Sequence, residues 1–478
     1  MRLLGRSSGD QWRGRDGVAV GASRAVSAFS QRAGHAGTAL PGLVAERIAP
    51  GLAARIAGDL GPVLLVSGTN GKTTTSHLLV HILERAGRRV VANRSGANLQ
   101  QALAATLVAE AGLNGRLRPH GAVGVFEVDE AALGSVADAV SVTQLILLNL
   151  FRDQLDRFGE TDAIIRNWEK LCDGLPDTAV VVSCADDPRL AHLVQRRSGP
   201  SIEFGLTEPP APSPEVSLTP DATRCPRCDG ALSYSWTGIG QLGGFACQQC
   251  GFARLEPSLG VRVATSRGID GQTLAFRTQA GPPDLTVSVR LPGTSNAYNA
   301  AAAVGGAVSM GIAAEFAVAA LADATPAFGR YEEVAINGRR VVLTLGKNPS
   351  SLAELARIAS ESEAAAVLFA LNDDFADGRD VSWYWDVDIS PMLRGRPYAI
   401  SGARAPDFLL RLKYAAGDGP GRLPPGFIGT SENPTGELDQ LVASTAGGDT
   451  IFVIATYTAL MRLRRTLVAR GLLPEHPR

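Results

Sequence analysis

Lysine is nearly absent from this 478-residue chain: Lys72, Lys170, Lys347 and Lys413 stand against 42 arginines. Arginine is therefore the default cation, and a lysine that survives that bias marks either chance retention or a place where a compact ammonium is required. A surplus of one charge is lacking too, since 46 basic side chains meet 47 acidic ones for a net charge of −1. That balance excludes a purely charge-driven polyanion binder and any general pull toward nucleic acid or anionic lipid. Long apolar runs are missing. The longest weakly polar stretch, Ala300 to Ala314, is 15 residues of mostly Ala and Gly, too short for a membrane span, and reads as a buried helix. Residues 1–34 carry Arg2, Arg6, Arg13 and Arg15 but no apolar h-region, so they read as a frayed N-terminal extension of a cytoplasmic protein rather than a secretory signal. Only six cysteines occur, and four of them form two CxxC pairs, which points to metal rather than a disulfide framework.

What remains is a globular composition, 45% hydrophobic and 19% charged, over a length worth about three domains. The apolar run 63–66 leads into Ser67-Gly-Thr-Asn-Gly-Lys-Thr-Thr74, after which Leu78, Leu79, Ile82, Leu83 and Ala86 recur at helical spacing as far as Gly87. Further apolar runs at 89–92, 123–128, 144–148 and 179–182 are separated by enough chain for crossover helices. This alternation predicts an α/β fold with a doubly wound, mostly parallel sheet. Ligands gather at the carboxyl ends of such strands, and Lys72, Asn93, Glu127, Asn149 and Asp153 all follow strands. Pro209, Pro210, Pro212, Pro214 and Pro220 then introduce an inserted cysteine-bearing module over 221–255. The α/β pattern resumes after Arg262, and a second boundary falls near 335–345. Runs at 341–345, 366–371, 398–400 and 451–454 predict a smaller, Rossmann-like C-terminal domain over 336–478, behind an ATPase domain over 35–335.

Gly68-Thr-Asn-Gly-Lys-Thr-Thr74 offers backbone N–H groups at a helix N-terminus, a lysine for the β- and γ-phosphates and a hydroxyl for Mg²⁺. Thr69, Asn70, Gly71, Lys72, Thr73 and Thr74 are the candidate nucleotide contacts. Val66 occupies the place of the first Walker glycine, and a plain strand-to-helix turn is the alternative. Glu127 is the candidate for the other side of the Mg²⁺ that Thr73 begins to coordinate, with a solvated strand end as the alternative. Asp153 and Asp156 suit a second metal or the acceptor as well as they suit a helix start. Cys225-Pro-Arg-Cys228 and Cys247-Gln-Gln-Cys250 enclose 18 residues, inside the window of zinc ribbons, and four thiolates leave no open position for catalysis. Redox pairs or a nucleic-acid-reading ribbon are the alternatives, though the module is not notably basic. Cys172 and Cys184 read as small buried hydrophobes. None of the six cysteines looks like a nucleophile.

The phosphate loop, Glu127, Asn296-x-x-Asn299 before an Ala-rich helix, and Gly329-Arg330 together resemble the ATP-dependent Mur ligases of cell-wall synthesis. With the ribbon, Phe151-Arg-Asp-Gln-Leu-Asp-Arg-Phe-Gly159, Lys347-Asn-Pro349 and Ala376-Asp-Gly-Arg-Asp-Val-Ser-Trp383, the chain is more narrowly similar to the MurT family, from about residue 35 onward. These are the synthetase subunits of lipid II isoglutaminyl synthases. The resemblance implies ATP- and Mg²⁺-dependent amidation of the α-carboxylate of D-glutamate in the lipid II stem peptide, at the inner face of the plasma membrane. The ammonia would come from a GatD-like glutamine amidotransferase subunit, which suits a chain with no convincing Cys–His pair of its own. It further implies that Asn296, Asn299 and Arg330 contact nucleotide, that Lys72 is catalytic, and that Asp380 orients the partner's catalytic histidine. By its local sequence alone Asp380 reads as a turn former, with Asp373 and Asp377 as competitors. The chain departs from the wider family at Gln154, where many members place a metal-binding histidine. Lys170 is no secure counterpart of their carbamylated lysine, and a phosphate loop that begins within 70 residues of Met1 leads to the expectation that the uridine-nucleotide-binding N-terminal domain is absent. A stand-alone amino-acid ligase of the Mur or folylpolyglutamate type and a P-loop ATPase with a nucleic-acid-binding ribbon remain the competing readings.

Overall fold

The computed structural model describes residues 13–32, 40–93, 100–117, 120–152, 161–210, 221–279, 281, 284–327, 329–362, 364–393, 395–415 and 422–474. Three helices, α1 (Arg13–Arg32), α2 (Leu40–Ile48) and α3 (Leu52–Ala57), precede the first strand. Apolar runs then make the strands β1 (Val63–Ser67), β2 (Val90–Ala92), β3 (Val123–Glu127), β4 (Gln144–Leu147), β5 (Val180–Cys184) and β6 (Ser201–Leu206). Every residue of β1, β3 and β4 is buried, as expected of parallel strands covered on both faces. The covering helices include α4 (Lys72–Arg85), α5 (Gln100–Glu110), α6 (Leu133–Ala137), α7 (Thr161–Gly174) and α8 (Pro188–Gln195). A separate hairpin, β7 (Leu232–Ile239) and β8 (Leu242–Cys247), is inserted before β9 (Leu259–Ser266), β10 (Gln272–Thr278) and β11 (Leu285–Val289).

The large sheet has the order β11-β10-β9-β6-β5-β4-β1-β3-β2. It is parallel from β2 to β9, and antiparallel only at β9, β10 and β11. β1 lies between β3 and β4, so its carboxyl end opens at the place where strand order reverses. Helices α9 (Thr294–Ser309) and α10 (Ala314–Ala320) complete this unit. The Ala/Gly composition of α9 has a packing cause. A β-carbon on Gly305 would stand 2.9 Å from Val182, and one on Gly306 would stand 2.8 Å from Ile146, so overpacking there would cost roughly 1–3 kcal/mol. The predicted helix over 300–314 stops short, because Gly311 takes φ 80° and the chain restarts at Ala314.

A second sheet contains β12 (Glu332–Ile336), β13 (Arg339–Leu345), β14 (Ala366–Ala370), β15 (Tyr398–Ser401), β16 (Phe427–Ser431) and β17 (Thr450–Ala455), in the order β12-β13-β17-β14-β15-β16. It begins at Glu332, ahead of the boundary expected near 335–345. The reason is local: Asn337 and Gly338, with φ 47° and 75°, make the tight turn that folds β12 back onto β13. Helices α11 (Pro349–Glu361), α12 (Ser390–Leu393), α13 (Ala405–Ala415), α14 (Pro434–Ser444) and α15 (Tyr457–Ala469) flank it, with apolar cores on both faces. α11 starts sharply because the Asn348 side chain accepts from the Ser351 N–H and Pro349 occupies the first turn. This helix also joins the two units. Glu354 accepts from the Ser295 N–H at 3.1 Å, and Arg357 donates to Thr294 at 3.3 Å. Among the described residues, no helix is long and apolar enough to cross a membrane.

Candidate functional site

The loop leaving β1 is held by neighbours on every side. The Thr69 N–H donates to the Asn149 carbonyl at 3.1 Å, and the Asn149 side chain accepts from the Asn70 N–H at 2.9 Å while donating to the Asn70 carbonyl at 3.0 Å. The Thr69 hydroxyl accepts from the Phe151 N–H at 3.0 Å. Gly71 caps α4 with φ 92°, and a β-carbon there would fall 2.0 Å from Asn299 Oδ1. Only glycine serves both constraints. Asn299 in turn accepts from Thr75 at 3.4 Å and donates to Asn296 at 3.1 Å. The predicted nucleotide contacts of the loop and of α9 are thus neighbours in space.

Lys72 is buried. Its Nζ donates to the Gly68 carbonyl at 2.5 Å and to Glu130 Oε2 at 2.9 Å. Burial opposes its charge, but Glu130, Glu127 and Asp129 outweigh that cost and hold the ammonium above the ordinary lysine value. Glu130 responds oppositely to its surroundings: burial works against its carboxylate, yet Lys72 and Lys347 keep it below the usual range. Glu127 accepts from the Thr73 hydroxyl and faces Lys72, Arg330 and Lys347, and burial still pushes its carboxyl upward. A buried carboxylate beside a hydroxyl is the donor pair that a hard cation completes. Asn93 fixes the backbone of Glu127 in both directions, at 2.8 and 2.9 Å.

Three residues of the second unit reach this site. Asn70 donates to Ser350 at 2.8 Å, and Asn348 donates back to Asn70 at 3.0 Å. Lys347 lies close enough to act on Glu127, Asp129 and Glu130. Sequence reasoning quoted Lys347-Asn-Pro349 without assigning roles and missed Glu130. The available signal for Glu130 was the acidic run Glu127-Val-Asp-Glu130 in a chain whose buried lysine needs a counter-ion. Trp168, two residues before Lys170, ties α7 to the Glu130 carbonyl at 3.0 Å, whereas Lys170 is exposed. Asp153, Gln154 and Asp156 lie outside the described residues.

Cys225, Cys228, Cys247 and Cys250 converge with all four sulfurs within 4.8 Å of one another. The Cys225–Cys250 and Cys228–Cys247 separations are 3.7 and 3.6 Å. Sulfurs bound tetrahedrally at about 2.3 Å from one ion stand about 3.8 Å apart, so the set suits a tetrathiolate metal site. The hairpin that carries it also supports the phosphate loop. Gln241 at its tip is fully buried and donates to the Leu150 carbonyl at 2.9 Å, one residue before the N–H that holds Thr69. Beneath it, Asp186 bonds Arg254 at 2.7 Å and Tyr298 at 2.6 Å. Cys172 and Cys184 are buried; burial pushes the Cys172 thiol up to about 12 and that of Cys184 well above its ordinary value.

Asp380 follows β14 in the second sheet, where it accepts from the Ser382 N–H at 2.9 Å. The local turn reading and an outward role both accommodate that bond. Its two competitors are committed elsewhere, Asp373 to Arg404 at 3.1 Å and Asp377 to the Thr458 N–H at 2.8 Å, as is neighbouring Asp374, to Arg462 at 2.9 Å. Phe375 in this loop and Trp385 just after it are exposed by 73 and 46%, and Tyr414 of α13, 66% exposed, has its ring 6.0 Å from that of Trp385.

Comparison with known proteins bears on these two regions in turn. A family profile for the Mur ligase middle domain matches residues 66–224, and one for the MurT ligase C-terminal domain matches residues 345–460. The chain thus carries a Mur ligase middle domain followed by a MurT-type C-terminal domain. Among curated relatives, the lipid II isoglutaminyl synthase (glutamine-hydrolyzing) subunit MurT of Staphylococcus aureus strain COL is 28% identical over 84% of this chain and 88% of that one. Its counterpart in Streptococcus pneumoniae R6 is 29% identical over 91% of this chain and 93% of its own. In fold, the chain matches a pseudomurein peptide ligase type C from Methanothermus fervidus, with TM-score 0.65 and 18% identity over 86% of this chain and 79% of that one. It also matches MurF ligase from Thermotoga maritima in complex with ADP, with TM-score 0.61 and 15% identity over 87 and 83%.

Proposed function

We propose that this chain amidates the α-carboxylate of D-glutamate in the stem peptide of lipid II, at the inner face of the plasma membrane, drawing ammonia from a GatD-like glutaminase subunit. The observation that carries the reading is the meeting, in one buried charged site, of the Lys72 loop, Glu127 and the Lys347-Asn348 segment of the C-terminal domain.

A carboxylate is a poor electrophile, so it is first activated. A carboxylate oxygen attacks the γ-phosphorus of ATP, ADP departs, and the resulting acyl phosphate is opened by ammonia with loss of phosphate. Lys72 neutralises charge on the transferring group, and the loop N–H groups fix the polyphosphate. Thr73 and Glu127 would hold Mg²⁺, which supplies further neutralisation at the γ-phosphate. Asn296, Asn299 and Arg330 orient the nucleotide. The ribbon would hold a structural Zn²⁺ on Cys225, Cys228, Cys247 and Cys250. Asp380 has a carboxylate that no cation of this chain occupies among the described residues, and the exposed Phe375 and Trp385 stand five residues to either side of it in the chain. That combination supports an acid offered across an interface, where it fixes the tautomer of a partner's histidine.

The test is reconstitution with a glutaminase subunit, lipid II, ATP and magnesium, followed by mass spectrometry of the stem peptide. Carboxamide formation that requires all components is expected. Addition of a free amino acid by the isolated chain would overturn the proposal in favour of a stand-alone ligase.

A further inference from the structure

We infer that the outer face of α1 is a docking surface for an anionic lipid bilayer. The inference deepens the proposed function, because it rests on the reading that the substrate is carried by a lipid. Val18, Ala22, Ala25 and Phe29 follow one another at spacings of four, three and four residues, which draws a single apolar stripe along the helix. Val18 is 64% and Phe29 75% exposed. The opposite face is the one that packs, with Ala19, Val20 and Ser23 buried.

Gly17 presses against the loop after α5 so closely that a β-carbon would fall 2.5 Å from the Leu113 carbonyl. Exposed Leu113 therefore stands at the same end of α1 as Val18. Arg24 fastens the helix there by donating to the Ala111 carbonyl at 2.6 Å.

Charge identifies the occupant. α1 contains four arginines and one acid. That acid, Asp16, is buried and paired with Arg55 at 2.6 Å, so no carboxylate of α1 faces outward while Arg15 and Arg24 do. The whole-chain balance of −1 conceals this local excess. Apolar side chains on one stripe, flanked by arginines, make the pattern of a helix lying in the plane of a membrane with anionic headgroups. A second protein is the poorer fit. Four side chains, two of them alanines, fall far short of the ~800 Å² per partner that a standard interface buries.

The experiment is co-sedimentation of the full chain with vesicles of phosphatidylcholine alone, or with about one-third phosphatidylglycerol. No nucleotide is added, so binding is read independently of turnover. Binding to the anionic vesicles is expected, weakening as salt is raised. The Val18→Ser/Phe29→Ser variant should melt as the parent does, bind those vesicles at least about tenfold less tightly, and still amidate a water-soluble stem-peptide analogue at the parent rate. Equal affinity of the parent for both vesicle types, undiminished binding by the variant, or a dimer that the variant abolishes would overturn the inference. Absence of amidation with every substrate would sink the proposed function, leaving the vesicle result to be judged separately.

Discussion

Both sheets place a loop at the carboxyl end of a buried parallel strand, and the two loops are built in opposite ways. The loop after β1 is bound by Asn149, Phe151, Asn299 and Asn348, and its lysine is enclosed with a counter-ion. The loop after β14 ties down three of its acids, leaves Asp380 without a cation among the described residues, and carries the exposed Phe375, with the exposed Trp385 just beyond it. The first construction suits a small anion that must be desolvated and held still. The second suits a surface completed by another protein, where exposed aromatic groups supply the contact area. One topology therefore serves two kinds of recognition, and the difference lies in what the loop side chains contact.

The largest expected effect comes from breaking the first loop. Lys72→Ala should lower ATP-dependent amidation by on the order of 10³-fold or more. It should also depress the melting temperature, because Glu130 is left buried without its partner, a loss of about 3–5 kcal/mol in comparable cases. Adding Glu130→Gln should recover stability but not activity. Recovery of turnover by the double variant would show that the lysine is structural. In the second loop, Asp380→Asn should reduce glutamine-dependent amidation by on the order of 10²-fold, while rates with supplied ammonia stay within about threefold of the parent. Equal losses with both nitrogen sources would erase the proposed contrast between the loops.

A third test reaches the first loop from a distance. Cys225→Ser should abolish metal binding measured by elemental analysis. Through Gln241, Leu150 and Thr69 it should also raise the KM for ATP several-fold. Intact metal content, or an unchanged KM after metal loss, would separate the ribbon from the loop. The smallest effect is expected at the junction. Asn348→Ala removes the cap of α11, worth about 1 kcal/mol, together with the bond to Asn70. A fall in stability without any change in KM for ATP would mean that Asn348 serves the helix alone.

The strands of both sheets that are buried on two faces were legible as apolar runs, as were the loop after β1 and the two CxxC pairs. In the two large sheets β6, β9, β10, β11, β12 and β16 were not, because these partly exposed strands mix polar with apolar residues and give no continuous run. Glu130 and Asn348 escaped for a different reason. Their significance lies in partners 58 and 278 residues away, and no local period encodes such a contact.

Residue order alone determined where phosphate could be cradled and where four thiols could close on a metal, since both chemistries depend on neighbours only a few positions apart. It also determined the α/β alternation, because burial on two faces requires unbroken apolar strands. Tertiary structure alone decided which acid neutralises the lysine, that the ribbon tip supports the phosphate loop, that the C-terminal domain supplies Asn348 and Lys347 to the site, and which stripe of α1 faces outward. Those outcomes depend on distance and burial, which are fixed only when remote segments pack.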